Sequence, residues 1–259
     1  MSRSAPPPDF TVAYGVLPDQ IADVRLPPED VKPKPLVIFI HGGFWKPEYD
    51  RAHGGPLAAD LAARGHVVAT LEYRRVGVDG GGWPGTFDDI GDGVTEVPEL
   101  IAASLGTSDA GDGRVVLMGH SAGGQLALWA GRHVTGVLGV VALAPVADLA
   151  RAYAMGLGGG AVAQLLGGGP DVVADRYAAV DPVANLPIEV PVVVVHGRRD
   201  QDVPVEIGRD FVAASVAAGD PTELIELADI DHYGVIDPLS PAWPAVLRGL
   251  ASVCGVGRG

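Results

Sequence analysis

Five short apolar runs, each closed by glycine, proline or a charged residue, constrain this chain more than any other feature. They are "PLVIFIHGG" (35–43), "HVVATLEYR" (66–74), "RVVLM" (114–118), "VLGVVALAP" (137–145) and "VPVVVVHG" (190–197). Runs of this length without polar alternation are what strands covered on both faces require. Helical spacing separates them: "GPLAADLAARG" (55–65) stops at Gly65, "AGGQLALWAGRH" follows Ser121, and "VEIGRDFVAASVAAG" (205–219) stops at Gly219. Asp88 and Asp89 are the expected caps of a further helix reaching about Ser104. "QIADVRLP" (20–27) and "TELIEL" (222–227) add strands, and "PAWPAVLRGLASV" closes the chain as a helix. Strand and helix taking turns predict an α/β fold: a mostly parallel, doubly wound sheet in one domain spanning 1–259.

Residues 146–189 break this rhythm. They lie between two buried runs, exceed what a crossover needs, and contain "LGGGAVAQLLGGGP" and "DVVADRYAAV". The expectation is a small helical cap inserted above the C-terminal edge of the sheet. Residues 1–9 are Pro-rich and expected to form a loose arm.

Composition narrows the partners. A formal charge of −14 opposes a nucleic-acid partner, because phosphate backbones demand clustered lysine and arginine. One cysteine, Cys254, rules out an internal disulfide framework and a cysteine-rich metal site, and is expected to be a packing or surface residue. "MSRSAPPPDF" has no apolar core of signal-peptide length, and no segment reaches about 18 uninterrupted apolar residues. The expectation is a soluble cytoplasmic protein, monomer or homodimer, that acts on a small molecule and meets no membrane.

The run at 114–118 leads straight into Gly119-His120-Ser121-Ala122-Gly123 and then into a helical pattern. A serine at a sharp strand-to-helix turn stands proud of the sheet, and the crowded backbone around it needs small residues on both sides. That is the nucleophile elbow, G-x-S-x-G. A serine hydroxyl needs a base to take its proton, and the base needs a carboxylate to orient it. In this architecture the order is serine, acid, histidine. "VVVVHGRRDQDVP" supplies Asp200 and Asp202 after one strand, and "ELADIDHYGVID" supplies His232 after the next. His232 is the one histidine C-terminal to those acids. His120 and His196 are expected to pack or bond locally, and His53, His66 and His133 to serve structure or surface.

"HGGFW" (41–45) follows the strand 35–43, where glycines let the backbone approach a substrate carbonyl. The N–H groups of Gly43, Phe44 and Ala122 are the candidate oxyanion donors, and His41 is a structural residue of that loop. Trp45 and Trp83 are candidate walls of a substrate pocket, with cap residues near Tyr153 to Leu166. "DAGDGRV" (109–115) lacks the terminal glutamate and helical flanks of a calcium loop. No histidine pair has metal-ligand spacing on a helix, and no phosphate-binding glycine fingerprint follows a strand. Neither metal nor organic cofactor is expected.

Together "HGGFW", "LEYRRVG…GGWPGTFDD", "GHSAGGQLALW", "HGRRDQDVP" and "DHYGVID" resemble the α/β-hydrolase superfamily. The likeness is to its esterase, arylformamidase (kynurenine formamidase-like) and prolyl-oligopeptidase-like branch, and runs from about residue 12 onward. The resemblance implies Ser121 as nucleophile, Asp200 as acid and His232 as base, with Gly43 and Phe44 in the oxyanion hole. Within H-G-x-x-D-x-x-V-P the first aspartate is the acid, which prefers Asp200 over Asp202. Phe44 stands where lipase-type relatives carry a third glycine, favouring the formamidase-like branch. The implied activity is hydrolysis of small or medium carboxylic esters through an acyl-enzyme. Alternatives are arylformamidase activity, acyl transfer or thioester release, and, outside catalysis, ligand binding on a hydrolase scaffold.

Overall fold

A computed structural model describes residues 5–32 and 34–255. Eight strands form one sheet: β1 (Phe10–Ala13), β2 (Ile21–Arg25), β3 (Lys34–Ile40), β4 (His66–Leu71), β5 (Val115–His120), β6 (Val137–Leu143), β7 (Val192–Gly197) and β8 (Thr222–Leu227), in the spatial order β1-β2-β4-β3-β5-β6-β7-β8. The first two strands pair antiparallel and the rest run parallel. This is the α/β-hydrolase arrangement.

Each central strand feeds two cores, because successive side chains leave a strand on opposite faces. Leu36, Ile38 and Ile40 of β3, with Val192 and Val194 of β7, face one core; Val37, Phe39, Val193 and Val195 face the other. The first core is covered by α2 (Gly85–Leu105), α3 (Ala122–His133) and α7 (Val205–Ala217). The second is covered by α1 (Gly55–Ala63) and α8 (Trp243–Gly255). None of these helices is long and apolar enough to cross a membrane, and the same holds for every described helix.

The segment 146–189 carries three short helices, α4 (Leu149–Ala154), α5 (Leu157–Leu166) and α6 (Ala174–Val180). Gly158, Gly159 and Gly160 are left-handed, so regular helix in α5 begins after them. Gln125 Nε2 and Trp129 Nε1 of α3 donate to the carbonyls of Val180 and Ala179 at 3.0 and 3.2 Å. The Asp181 carboxylate accepts the N–H groups of Leu149 and Ala150, both at 3.0 Å, closing the insertion on itself.

Two expectations need correction. The arm is not loose over residues 5–9: Asp9 N–H donates to Val24 O at 2.9 Å, its carboxylate accepts from Leu26 N–H at 2.8 Å, and Arg25 donates to Pro6 O. Residues 1–4 lie outside the described range. β1 follows directly, as the edge strand of the sheet. Asp88 and Asp89 do not cap α2, which starts at Gly85 after Pro84. Asp89 is buried and instead accepts two hydrogen bonds from the Arg74 guanidinium, at 2.7 and 2.8 Å, and one from Gln20 Nε2 at 2.8 Å.

Candidate active site

Four loops leave the C-terminal ends of the parallel strands β3, β5, β7 and β8 and meet. In open α/β sheets ligands collect at that edge. Ser121 sits between β5 and α3 with φ 57° and ψ −119°, a conformation costing about 1–3 kcal/mol that surrounding contacts must impose. Its N–H donates to Leu143 O at 2.9 Å, and its carbonyl accepts from Gly124 N–H at 3.0 Å. The spacing of the glycines has a steric reason. A Cβ on Gly119 would lie 2.1 Å from the Gly123 carbonyl oxygen, and one on Gly123 would lie 2.1 Å from that of Ile40. The elbow closes only if both positions lack a side chain.

Asp200 and His232 approach from the loops after β7 and β8. His232 Nδ1 lies 2.6 Å from Asp200 Oδ2, and both residues are buried. The other oxygen, Oδ1, accepts the N–H groups of Asp202 and Val203 at 2.9 and 2.7 Å, and His196 Nε2 stands 3.2 Å from Oδ2. Burial alone would raise the Asp200 pKa. Hydrogen bonds from His196, His232 and Val203 outweigh it and hold the carboxyl well below the ordinary range. His120, beside the serine, donates its Nε2–H to the carbonyl oxygen of His232 at 2.9 Å, tying the elbow to the loop that carries the imidazole. Burial, with His232 and His53 close by, pushes His120 far below the usual imidazole value.

The loop after β3 completes the ring. Gly43, Phe44 and Trp45 have successive positive φ of 108°, 50° and 56°. A Cβ on Gly42 would lie 2.8 Å from His120 O and 3.0 Å from Ser121 Cβ, so this loop packs directly on the elbow. Behind it His41 stacks on Tyr73 with ring centroids 4.5 Å apart, and its Nε2 meets the buried Glu72 carboxylate at 2.9 Å. Burial would raise Glu72, but His41, the Arg51 N–H and Arg75 pull it below the ordinary carboxylate value.

Gly43, Phe44, Ser121 and His232 line one cavity of about 70 Å³ together with Tyr49, His53, His120, Asp202 and Tyr233. The structure therefore brings Ser121, His232, Gly43 and Phe44 together, with Asp200 behind the imidazole and Ala122 at the first position of α3. The two tryptophans go elsewhere. Trp45 is fully buried in the first core, because the left-handed run turns its side chain away from Phe44's. Trp83 packs on Phe87, with centroids 5.7 Å apart, and its backbone N–H donates to Leu165 O in α5 at 2.8 Å. Neither lines the cavity. His53 does line it, contrary to its assignment to structure or surface, and so do Tyr49, Asp202 and Tyr233. Adjacency to His232 and Asp200 could have flagged Tyr233 and Asp202; nothing local marks Tyr49 or His53.

Asp200, Asp202 and His232 also present ligand atoms within 4.8 Å of one another. Chelation there would have to break the His232–Asp200 hydrogen bond and compete with two backbone donors on Oδ1.

Comparison with known proteins adds the following. The BD-FAE family model matches residues 22–214. A probable isoprenylcysteine alpha-carbonyl methylesterase of Oryza sativa subsp. japonica is 24% identical over 94% of this chain and 63% of its own length. The kynurenine formamidase of Danio rerio is 30% identical over 49% of this chain and 39% of its own. The chain thus spans about three fifths or less of the length of these curated relatives. Among solved structures, the Est2 esterase of Thermogutta terrifontis superposes with a TM-score of 0.73 at 23% identity, covering 96% of this chain and 94% of that one. The same esterase is known in a form phosphoramylated by tabun.

Proposed function

This chain belongs to the BD-FAE family, and from that premise we propose that it is a serine hydrolase cleaving carboxylic esters with short acyl groups. The observation that carries the reading is the 2.6 Å contact of His232 Nδ1 with Asp200, on an imidazole that shares a cavity with the strained Ser121. A carboxylate on Nδ1 fixes the tautomer that leaves Nε2 able to accept a proton. The names of relatives support ester chemistry, and modification of Est2 by an organophosphorus agent supports a nucleophilic serine in that fold.

In this reading Ser121 Oγ attacks the carbonyl carbon and passes its proton to His232 Nε2. The Gly43, Phe44 and Ala122 N–H groups hold the oxyanion, each worth about 3 kcal/mol in the transition state. As the C–O bond breaks, Nε2 returns the proton to the departing alkoxide. Water then repeats the sequence on the acyl-enzyme and frees Ser121. A cavity of about 70 Å³ at Ser121 leaves little room for a long acyl chain. The insertion 146–189 acts as a cap: Lys46 Nζ donates to Gly158 O at 2.8 Å, and a Cβ on Gly158 would meet the Phe44 ring, so the glycine turn abuts the oxyanion loop. N-formylkynurenine is a poorer fit, because neither lysine nor arginine lines the cavity among the described residues to hold its carboxylate.

A fluorophosphonate probe tests the assignment. The wild type is expected to be labelled and to turn over p-nitrophenyl acetate, while Ser121→Ala is folded, unlabelled and inactive. A folded wild type that takes no label, or a labelled Ser121→Ala, overturns it.

A further inference from the structure

The wall beside the base carries a chemistry that ester hydrolysis does not require. A base that protonates the leaving oxygen must stand within hydrogen-bond reach of it, so the alcohol half of a substrate emerges next to His232. Three rings and one carboxylate surround that exit. Tyr233 meets the His232 ring edge-on at 5.2 Å, His53 meets Tyr233 at 6.2 Å and Tyr49 at 6.4 Å, and Asp202 lines the same cavity with a carboxylate oxygen within 4.8 Å of a ring nitrogen of His232. Asp202 is the one acidic residue among the described lining residues, and no lysine or arginine joins it.

The charges that could neutralise it are engaged elsewhere. Arg199 pairs with Asp229 at 2.6 Å and Arg198 pairs with Glu226, while the Lys46 ammonium is held on Gly158 O and does not line the cavity. Of the two histidines beside the base, His53 is held at about 4, mainly by burial and then by His41, and His120 is lower than its usual value for the same leading reason. Both rings therefore face the cavity uncharged at neutral pH. The whole chain carries −14, which draws cations toward it over a Debye length. Aromatic faces beside a lone carboxylate are the surroundings that stabilise an ammonium group, through ring quadrupoles and Coulomb attraction together.

From this arrangement we infer that the leaving-group side of the cavity is a cation-selective subsite, in which Asp202, Tyr49, His53 and Tyr233 receive the positively charged alcohol of an ester. The inference rests on the proposed ester hydrolysis and names the class of alcohol that this site prefers. Asp202 is here a specificity residue, distinct from Asp200, whose carboxylate is committed to the imidazole.

The test compares acetylcholine with its uncharged carbon isostere, dimethylbutyl acetate, on the full chain at low ionic strength. The cationic ester is expected to show a kcat/KM about tenfold higher, expressed mainly in KM and shrinking as salt is added. Asp202→Asn should bring the ratio near one, and Asp202→Glu should restore most of it. Equal kcat/KM for the two esters in the wild type overturns the inference and leaves the ester reading standing. An equal loss on both esters in Asp202→Asn also overturns it, since Asp202 would then act through His232. Turnover of neither ester, nor of p-nitrophenyl acetate, sinks the ester reading and the inference with it. Should Asp202→Asn fail to fold, wild-type inhibition decides: choline must inhibit p-nitrophenyl acetate hydrolysis more strongly than dimethylbutanol, and equal inhibition refutes the subsite.

Discussion

Replacing Asp200 by asparagine changes one oxygen for an NH₂ group, and the surroundings dictate which one. Oδ1 accepts the backbone N–H groups of Asp202 and Val203 at 2.9 and 2.7 Å, so the amide oxygen must take that place. The NH₂ group then replaces Oδ2 and faces His232 Nδ1 at 2.6 Å and His196 Nε2 at 3.2 Å. As a donor it forces Nδ1 to accept, which moves the imidazole proton to Nε2. An imidazole protonated on Nε2 cannot take the Ser121 proton. Loss of the working tautomer costs serine hydrolases about 10⁴ in kcat, or roughly 5 kcal/mol of transition-state stabilisation. The fold loses a smaller amount, on the order of 1–3 kcal/mol, for a hydrogen-bonded charge that is gone. That stability term has a sign. The Asp200 carboxyl is depressed in the folded state, so its contribution is complete above the unfolded carboxylate value and fades as pH falls below it. The wild-type advantage in unfolding free energy should therefore narrow in strong acid. Burst and steady-state hydrolysis of p-nitrophenyl acetate measure the first effect, and urea denaturation followed by circular dichroism measures the second. A folded Asp200→Asn enzyme within tenfold of wild-type kcat would show that Asp200 does not set the tautomer.

Two further outcomes follow from the geometry. Gly123→Ala puts a Cβ 2.1 Å from Ile40 O and 2.4 Å from His41 O, backbone atoms at the end of a central strand, and should lower stability by about 3 kcal/mol or more; an unchanged urea midpoint contradicts the close-approach argument. Asp181, raised to about 6 chiefly by burial, is a carboxyl whose protonated form the folded state favours. Its contribution is present at acid pH and lost as pH rises through about 6, so the stability difference between wild type and Asp181→Asn should shift toward the wild type, by on the order of 2 kcal/mol, between pH 6 and pH 4. A flat difference over that window, measured by urea titration, refutes it.

What the sequence discloses here is what a short stretch of backbone decides by itself. Parallel strands buried on both faces must be apolar at every position, which makes β3, β5 and β7 visible as runs. The elbow is visible because Gly119 and Gly123 clear each other and β3, within one turn of chain. Features decided across the fold stay hidden. Asp89 reads as a helix cap until Arg74, from the loop after β4, and Gln20, just before β2, claim it. "HGGFW" offers two aromatic residues to a pocket, and only the left-handed backbone from Gly43 to Trp45 decides that Phe44 reaches the cavity while Trp45 enters the core. Tyr49 and His53 reach the cavity from the loop and turn beyond that strand, a placement no spacing rule encodes. Asp200 and Asp202 lie between these extremes. They are two residues apart and chemically identical, yet a local turn separates them: Asp200 accepts the N–H groups of Asp202 and Val203 with one oxygen, an Asx turn, and that hold aims its other oxygen at His232. Asp202, whose own N–H is spent in that turn, is left with its carboxylate in the cavity wall. The division between the residue that orients the base and the residue that meets the substrate is thus made by two backbone hydrogen bonds within "RRDQDVP".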